Sequence, residues 1–509
     1  MANTLRGGAA LGLALGLTST AALASPAQPG CDGLTAKACV EQAMTAMGGR
    51  EALLAIHSEQ VEAIGHTLLT EQSYRQAPFI TAYDRTTQTI DFDKGRINTS
   101  DKGLWPESDP GVEAAQNDAV LVSTANGAVI RAGDKDQRAG LSSIDDARTT
   151  LELGPERLLL TAAAAPDLHF AGPETLRATP HAVVAFNWRG AEVRVLLNGF
   201  NHLPDATEST RTFNDFWFAW GDVTQRVYFD NFKLIGGVVY PTNRVEERNG
   251  VVWSSSQILD AKFNPPLDEK ALAMDPAAAA ASAAGKGWNR SFDASHHTEL
   301  APGVELYQGS WNVAVIRQDD GVVVLEAPIS PTFTQGALAK AREGGAPIKA
   351  VLTTSDSWPH LAGVRQAVAE GLPVYGLDLN RPILERLIAA PHTLAPDALQ
   401  ATPKKADWHW VAGPTAIGSG LNRMVLYPLR GAATERQYMV YFPGRRLLYA
   451  SDTLVLSADG KTIYDPELTH EVAQAVAREH LAVDTVWAMH QAPAKWSEVV
   501  RTIEGARGA

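Results

Sequence analysis

The stretch Val351-Leu352-Thr353-Thr354-Ser355-Asp356-Ser357-Trp358-Pro359-His360 sets hydroxyls, a carboxylate and an imidazole directly behind an apolar run. Asp356 could serve as a general base or as an extra metal ligand. Its alternative is a turn aspartate bonded to its own backbone. Ser357, His360 and the distant Asp452 can be drawn as nucleophile, base and orienting acid, but composition alone makes such triples easy to find. The nucleophile elbow Gly-x-Ser-x-Gly is absent, since Gly418-Ser419-Gly420 has the wrong spacing. There is no Gly-rich phosphate-binding loop of either common type, so a nucleotide cofactor has no visible cradle.

The elements that must position these groups are apolar runs at strand length. Gly303 to Tyr307, Trp311 to Ile316 and Gly321 to Pro328 read as three successive strands. Tyr438 to Pro443 and Leu447 to Asp452 read as a later pair, and Val486-Trp487-Ala488-Met489-His490 as a final strand. Asn380-Arg381-Pro382 reads as a capped helix start with Pro just inside. The other histidines show no ligand spacing.

Order, spacing and strand context over roughly residues 295 to 505 resemble the metallo-β-lactamase-fold hydrolase superfamily, whose metal-binding turn is Thr-His-x-His-x-Asp-His-x-Gly-Gly after an apolar strand. The resemblance implies an αββα sandwich and a degenerate metal motif. The two leading histidines of the turn fall on Ser355 and Ser357, its Asp on Pro359, and the family's middle His on Ala433, so the first metal site is lost. His360, Asp452 and His490 stand where ligands of the second site belong. They imply one divalent metal: Zn²⁺ with an open position for water, or Fe²⁺ or Mn²⁺. The activity implied is hydrolysis of an ester, lactone or amide. The alternative is a non-catalytic envelope binding or assembly protein that keeps the three groups as hydrogen-bonded relics.

A chain of 509 residues exceeds one ordinary core, and 45% hydrophobic with 20% charged residues is globular composition. The Ala-rich run Ala277 to Gly287 reads as a linker or short linking helix between separately folding halves. Before it, Ala36 to Met47 has helical spacing, and a short helix follows around Glu51 to Ile56. Strands then dominate, and Asn249-Gly250 between Thr242 to Arg248 and Val251 to Ile258 is a hairpin signature. The close of this half, from Phe232 to Asp268, resembles periplasmic lipoprotein-carrier-like domains, which implies a curved sheet around helices and an apolar ligand. Phe213, Phe216, Trp217, Phe218 and Trp220 could line such a groove, though core is the expected role of an aromatic run.

The apolar stretch Ala9 to Leu17 is too short to span a bilayer and leads to Ala22-Leu23-Ala24, a small-x-small cleavage pattern. Export to the periplasm or medium is therefore expected. Cys31 and Cys39, the only cysteines, are expected to pair in an oxidising compartment. Acylation of Cys31 is the rival, and Gln28-Pro29-Gly30 before it is no apolar lipobox. A net charge of −13 disfavours nucleic acid and anionic membranes as partners. The fold expected is α+β: a leader at 1–24, a β-rich curved-sheet domain at 25–276, a linker at 277–290 and an αββα domain at 291–509. A small-molecule substrate or an apolar ligand is the expected partner, with no transmembrane anchor.

Overall fold

The computed structural model describes residues 27–69, 79–104, 116–457, 460–464 and 466–507, so the leader lies outside the described residues. Cys31 and Cys39 form a disulfide. Among the described residues no helix is long and apolar enough to cross a membrane.

The first half is one antiparallel sheet of thirteen strands. Its centre is a non-local pair, Ser58–Leu69 against Val251–Phe263, from which one meander runs outward to Lys135–Arg138 and the other to His169–Leu176. The turn at Asn249-Gly250 has φ of 48° and 76°, the left-handed pair that a two-residue hairpin needs. Helices Ala36–Ala46 and Pro155–Ala164 pack together on one face of the sheet. There Val40, Met44, Leu158 and Leu159 pack against Val195, Leu197 and Phe229. The Ala-rich linker forms the helix Pro276–Ala283, capped by Asp275 and docked on this half through Ser282, which donates to the carbonyl of Ala139 at 2.9 Å.

Beneath the helices, Glu59 and Glu156 are both buried beside Arg244 and Tyr240. Burial, reinforced by the neighbouring Glu156, pushes the Glu59 carboxyl up to about 8. An unfolded chain releases that proton near pH 4.5 while the folded chain keeps it, so stability falls as pH rises from about 4.5 to 8. Glu59→Gln should flatten that decline, by up to about 1.4 kcal/mol per pH unit, in denaturant titrations at several pH values.

Among the described residues the second half has two stacked sheets with helices on both outer faces, and a small two-stranded ribbon of Val455–Leu456 with Ile463–Tyr464. The first sheet, seven strands from His297–Ala301 to Asp407–Val411, is antiparallel up to Gly321–Leu325 and parallel beyond it. The second has six strands from Thr415–Ile417 to Ala494–Lys495. Alternation divides the side chains: Ile316, Val323 and Leu325 face Leu426, Val440 and Phe442 between the sheets. Val315, Val322 and Val324 face Leu338, Val364 and Leu384 of one helix layer. Met439, Leu448 and Val486 face Val472, Ala475 and Ile503 of the other.

The two halves, expected to fold separately, meet in a shared core. One continuous core contains Phe213, Trp217 and Trp220 of the first half together with Val315, Leu338 and Trp358 of the second. Phe213, Trp217 and Trp220 of the aromatic run are thus interdomain core. At this seam Gly221 has φ of 66°, and a Cβ there would sit 2.4 Å from the His392 ring. The helix at Arg381–Ala389 also departs from expectation, because the Asn380 side chain makes no cap and instead donates to the carbonyl of Arg436 at 2.8 Å.

Candidate metal centre

Three strand ends converge on one place. Leu447–Tyr449 and Thr485–Trp487 run parallel, so the residues after each emerge on the same side, bringing Asp452 and His490 together. His360 arrives from the other sheet, in the turn after Ile348–Leu352. Asn312 fastens the His490 loop across the sheets, donating from its side chain to the carbonyls of Ala488 at 2.9 Å and Gln491 at 3.1 Å. Sequence reasoning missed this residue, because nothing local distinguishes it.

His360, Asp452 and His490 each offer a ligand-type atom, and these atoms lie within 4.8 Å of one another. Asp452 stands between the rings, 3.6 Å from His360 Nδ1 and 3.3 Å from His490 Nε2. Two ligands of a tetrahedral zinc, each about 2.0 to 2.1 Å from the ion, lie about 3.3 Å apart. The His360 side chain has no exposed surface, while those of Asp452 and His490 are 17% and 25% exposed, so the group opens to one side.

Protonation decides what this geometry means. His490 Nδ1 lies 2.6 Å from the carbonyl oxygen of Ser310, which cannot donate, so Nδ1 carries the proton. Nε2 then faces the Asp452 oxygen at 3.3 Å, a pair that a proton on Nε2 or a bound cation would join. Burial lowers His360 to about 4, leaving it neutral at ordinary pH, and its Nε2 is buried with no hydrogen-bond partner. Two oriented imidazoles and a carboxylate with an uncompensated lone pair suit a divalent ion.

The same turn holds the replaced positions. Ser355 Oγ lies 3.0 Å from His360 Nδ1, the atom that Asp452 also approaches, so serine and carboxylate crowd one nitrogen. A relay triad needs them on opposite nitrogens. Ser357 Oγ is buried and makes no hydrogen bond, so the structure does not bring it to His360 as the drawn triad required. Asp356 is buried in the turn and does not belong to the three-residue ligand group. Ala433 donates its backbone N–H to Glu471. At Gly363 an added Cβ would fall 1.9 Å from Thr334 Oγ1, so this turn tolerates only glycine where it meets the neighbouring helix.

Beneath the group lies a second, unforeseen set of polar residues. Glu326, with φ of 77°, accepts hydrogen bonds from Thr354 and, at 3.0 Å, from Tyr449. Burial pushes its carboxyl up to about 7, against those two bonds. Thr354 is in turn 2.7 Å from Ser451, which precedes Asp452 with φ of 58°. Strained backbone held by side-chain bonds of this kind fixes where the next residue points. Asp452 is further held by its N–H donating to Gln437 at 3.0 Å. At the open side Trp311 packs edge-on to His490 at 5.8 Å, Trp288 of the linking segment packs on Trp311 at 5.3 Å, and Phe216 of the first half on Trp288 at 5.3 Å.

Neither a protein-family model nor a curated protein matches the sequence. Among solved structures, the chain is similar to a metallo-β-lactamase from Pontibacter korlensis at 16% identity and a TM-score of 0.33, covering 42% of this chain and 99% of that one. A metallo-β-lactamase from Erythrobacter litoralis is similar at 16% identity and a TM-score of 0.31, covering 42% and 96%. One from Hirschia baltica is similar at 15% identity and 0.32, covering 41% and 95%.

Proposed function

We propose that the second half is a single-metal hydrolase of the metallo-β-lactamase fold, acting on an ester, lactone or amide bond. The observation that carries this reading is the convergence of His360, Asp452 and His490, whose ligand-type atoms lie within 4.8 Å of one another, with His490 Nε2 turned to Asp452 at 3.3 Å. His360, Asp452 and His490 would hold the ion, which when bound supplies Lewis acidity toward a carbonyl and acidity toward water. The chain's own part is orientation. The Ser310 carbonyl fixes the His490 ring, Gln437 fixes the backbone of Asp452, and burial keeps His360 neutral and therefore able to bind a cation. The Cys31–Cys39 disulfide supports work in an oxidising compartment, in keeping with export.

Elemental analysis of gently purified protein should find one equivalent of transition metal per chain. Hydrolysis of aryl esters or lactones should stop with a chelator and return with Zn²⁺, Fe²⁺ or Mn²⁺. Two equivalents would sink the ligand assignment, and none would favour a scaffold.

A further inference from the structure

The metal centre has a neighbour that comes from the segment joining the two halves. Trp311 follows Ser310, whose carbonyl holds His490, and its ring stands edge-on to His490 at 5.8 Å. Trp288 meets Trp311 at 5.3 Å, and the guanidinium of Arg290 lies 5.3 Å over the Trp311 ring and 5.8 Å over that of Trp288. Both distances are within the reach of cation–π attraction. The segment is held from both sides. Toward the first half, Trp288 packs on Phe216 at 5.3 Å, and Gly287 has φ of 52° with Asn214 Oδ1 only 3.0 Å from where a Cβ would stand. Toward the second, Thr332 donates to Asn289 at 2.5 Å, and Phe292 packs on Tyr307 and Phe333, each at 5.3 Å.

The charge of Arg290 is unanswered. Among the described residues it forms no ion pair and no hydrogen bond, and none of its nitrogens is sealed from solvent. Arg194, Arg226 and Arg248, by contrast, each pair with a carboxylate. Half-burial, and then the like charge of Arg138, weaken the hold of Arg290 on its proton. Arg138, exposed at the end of strand Lys135–Arg138, has no carboxylate partner among the described residues either. In a chain of net charge −13, two unpaired guanidiniums within electrostatic reach of each other are the exception. They make a local positive field one aromatic ring away from His490, and such a field draws anions. The guanidinium fork matches carboxylate oxygens, and a cationic substrate would meet repulsion there.

We propose that Arg290, braced on Trp311 and Trp288, selects anionic substrates for the metal centre: esters or amides that carry a carboxylate beyond the bond to be cut. This selection rests on the hydrolase function proposed above only for the cutting of that bond, since the carboxylate binds without the metal. The first experiment is therefore binding. The full chain, as purified and again in chelator so that no metal can take the carboxylate, is titrated calorimetrically with the mono-4-nitroanilide of glutaric acid and with the neutral 4-nitroanilide of butyric acid. In both states the acid should bind at least about tenfold more tightly than the neutral amide, and high salt should narrow the gap. Arg290→Gln should remove the gap, and Arg290→Lys should keep part of it, because lysine retains the charge without the planar fork. The second experiment is hydrolysis of the matching 4-nitrophenyl esters, where the wild type should favour the glutarate ester through KM and not through kcat. The proposal is overturned if neither anilide binds, if the two bind alike in chelator, or if a folded Arg290→Gln chain keeps the preference. Preferential binding of the acid with neither ester cut would instead overturn the hydrolase function and leave the anion site standing. The comparison of the two anilides on the wild type needs no variant, so it decides the matter even where a variant misfolds.

Discussion

Alanine in place of His490 or Asp452 should strip the metal and abolish hydrolysis while leaving the fold intact. In the proposed site each supplies one of three protein ligands, and two ligands do not hold a catalytic zinc. Groups that only orient ligands are worth about 10- to 100-fold in metal affinity, so loss of a ligand should cost at least about 100-fold. Ser355→Ala, which removes a hydroxyl at 3.0 Å from His360, belongs to the orienting class and should cost about tenfold. Ser357→Ala deletes a buried oxygen that has no partner, so its effect should stay within about 1 kcal/mol of stability, with no loss of metal. Elemental analysis, ester and lactone assays and thermal melts on the four variants give the ranking. Activity that survives loss of His490 and ignores chelators would falsify the metal reading. Should the three groups be a relic, His490→Ala would instead lower stability by about 1 to 3 kcal/mol with no activity to lose.

The ranking of the two serines also marks where sequence reading stopped. The strand ends behind His360, Asp452 and His490 are legible because each is an apolar run of strand length, and resemblance aligned them although they are far apart in the chain. Which hydroxyl touches His360 is set by the path of the turn between Leu352 and Trp358, and no periodicity reports that. Glu326 and Asn312 were invisible for a similar reason. Their partners, Tyr449 and the Ala488 carbonyl, come from the other sheet.

In the first half the Asn249-Gly250 hairpin and the Cys31–Cys39 pair were readable, since both are local. The pairing of Ser58–Leu69 with Val251–Phe263 was not, because nothing in either strand names a partner so distant in sequence. The apolar face implied by resemblance to carrier domains carries Val193, Val227 and Phe229 beside Ser209, Gln225 and Arg244. These alternate with outward residues as any half-buried strand does, and alternation records which residues share a face without recording what fills the space in front of them.

Trp358→Ala should be the most destabilising single substitution in the chain, and it should damage the metal centre from behind. Trp358 is 2% exposed and sits at the start of the short helix that carries His360. Its ring meets Trp217 at 4.7 Å, Trp220 at 5.0 Å and Phe79 at 5.9 Å, all edge-on and all from the first half. Truncating a buried Trp costs about 3 to 5 kcal/mol, and each aromatic pair adds about 0.5 to 1.5 kcal/mol beyond burial. The cavity would open between the halves, where Arg386 also covers Trp220 at 4.7 Å. Denaturant unfolding should therefore show a large loss of stability, and tryptophan emission should shift to the red. Metal affinity should fall as well, because the backbone two residues before His360 loses its support. Trp358→Phe keeps a ring against Trp217 and should recover part of both losses. An Ala variant with unchanged unfolding would mean that the seam between the halves does not brace the His360 turn. Unchanged metal affinity alongside lost stability would confine the role of Trp358 to joining the halves.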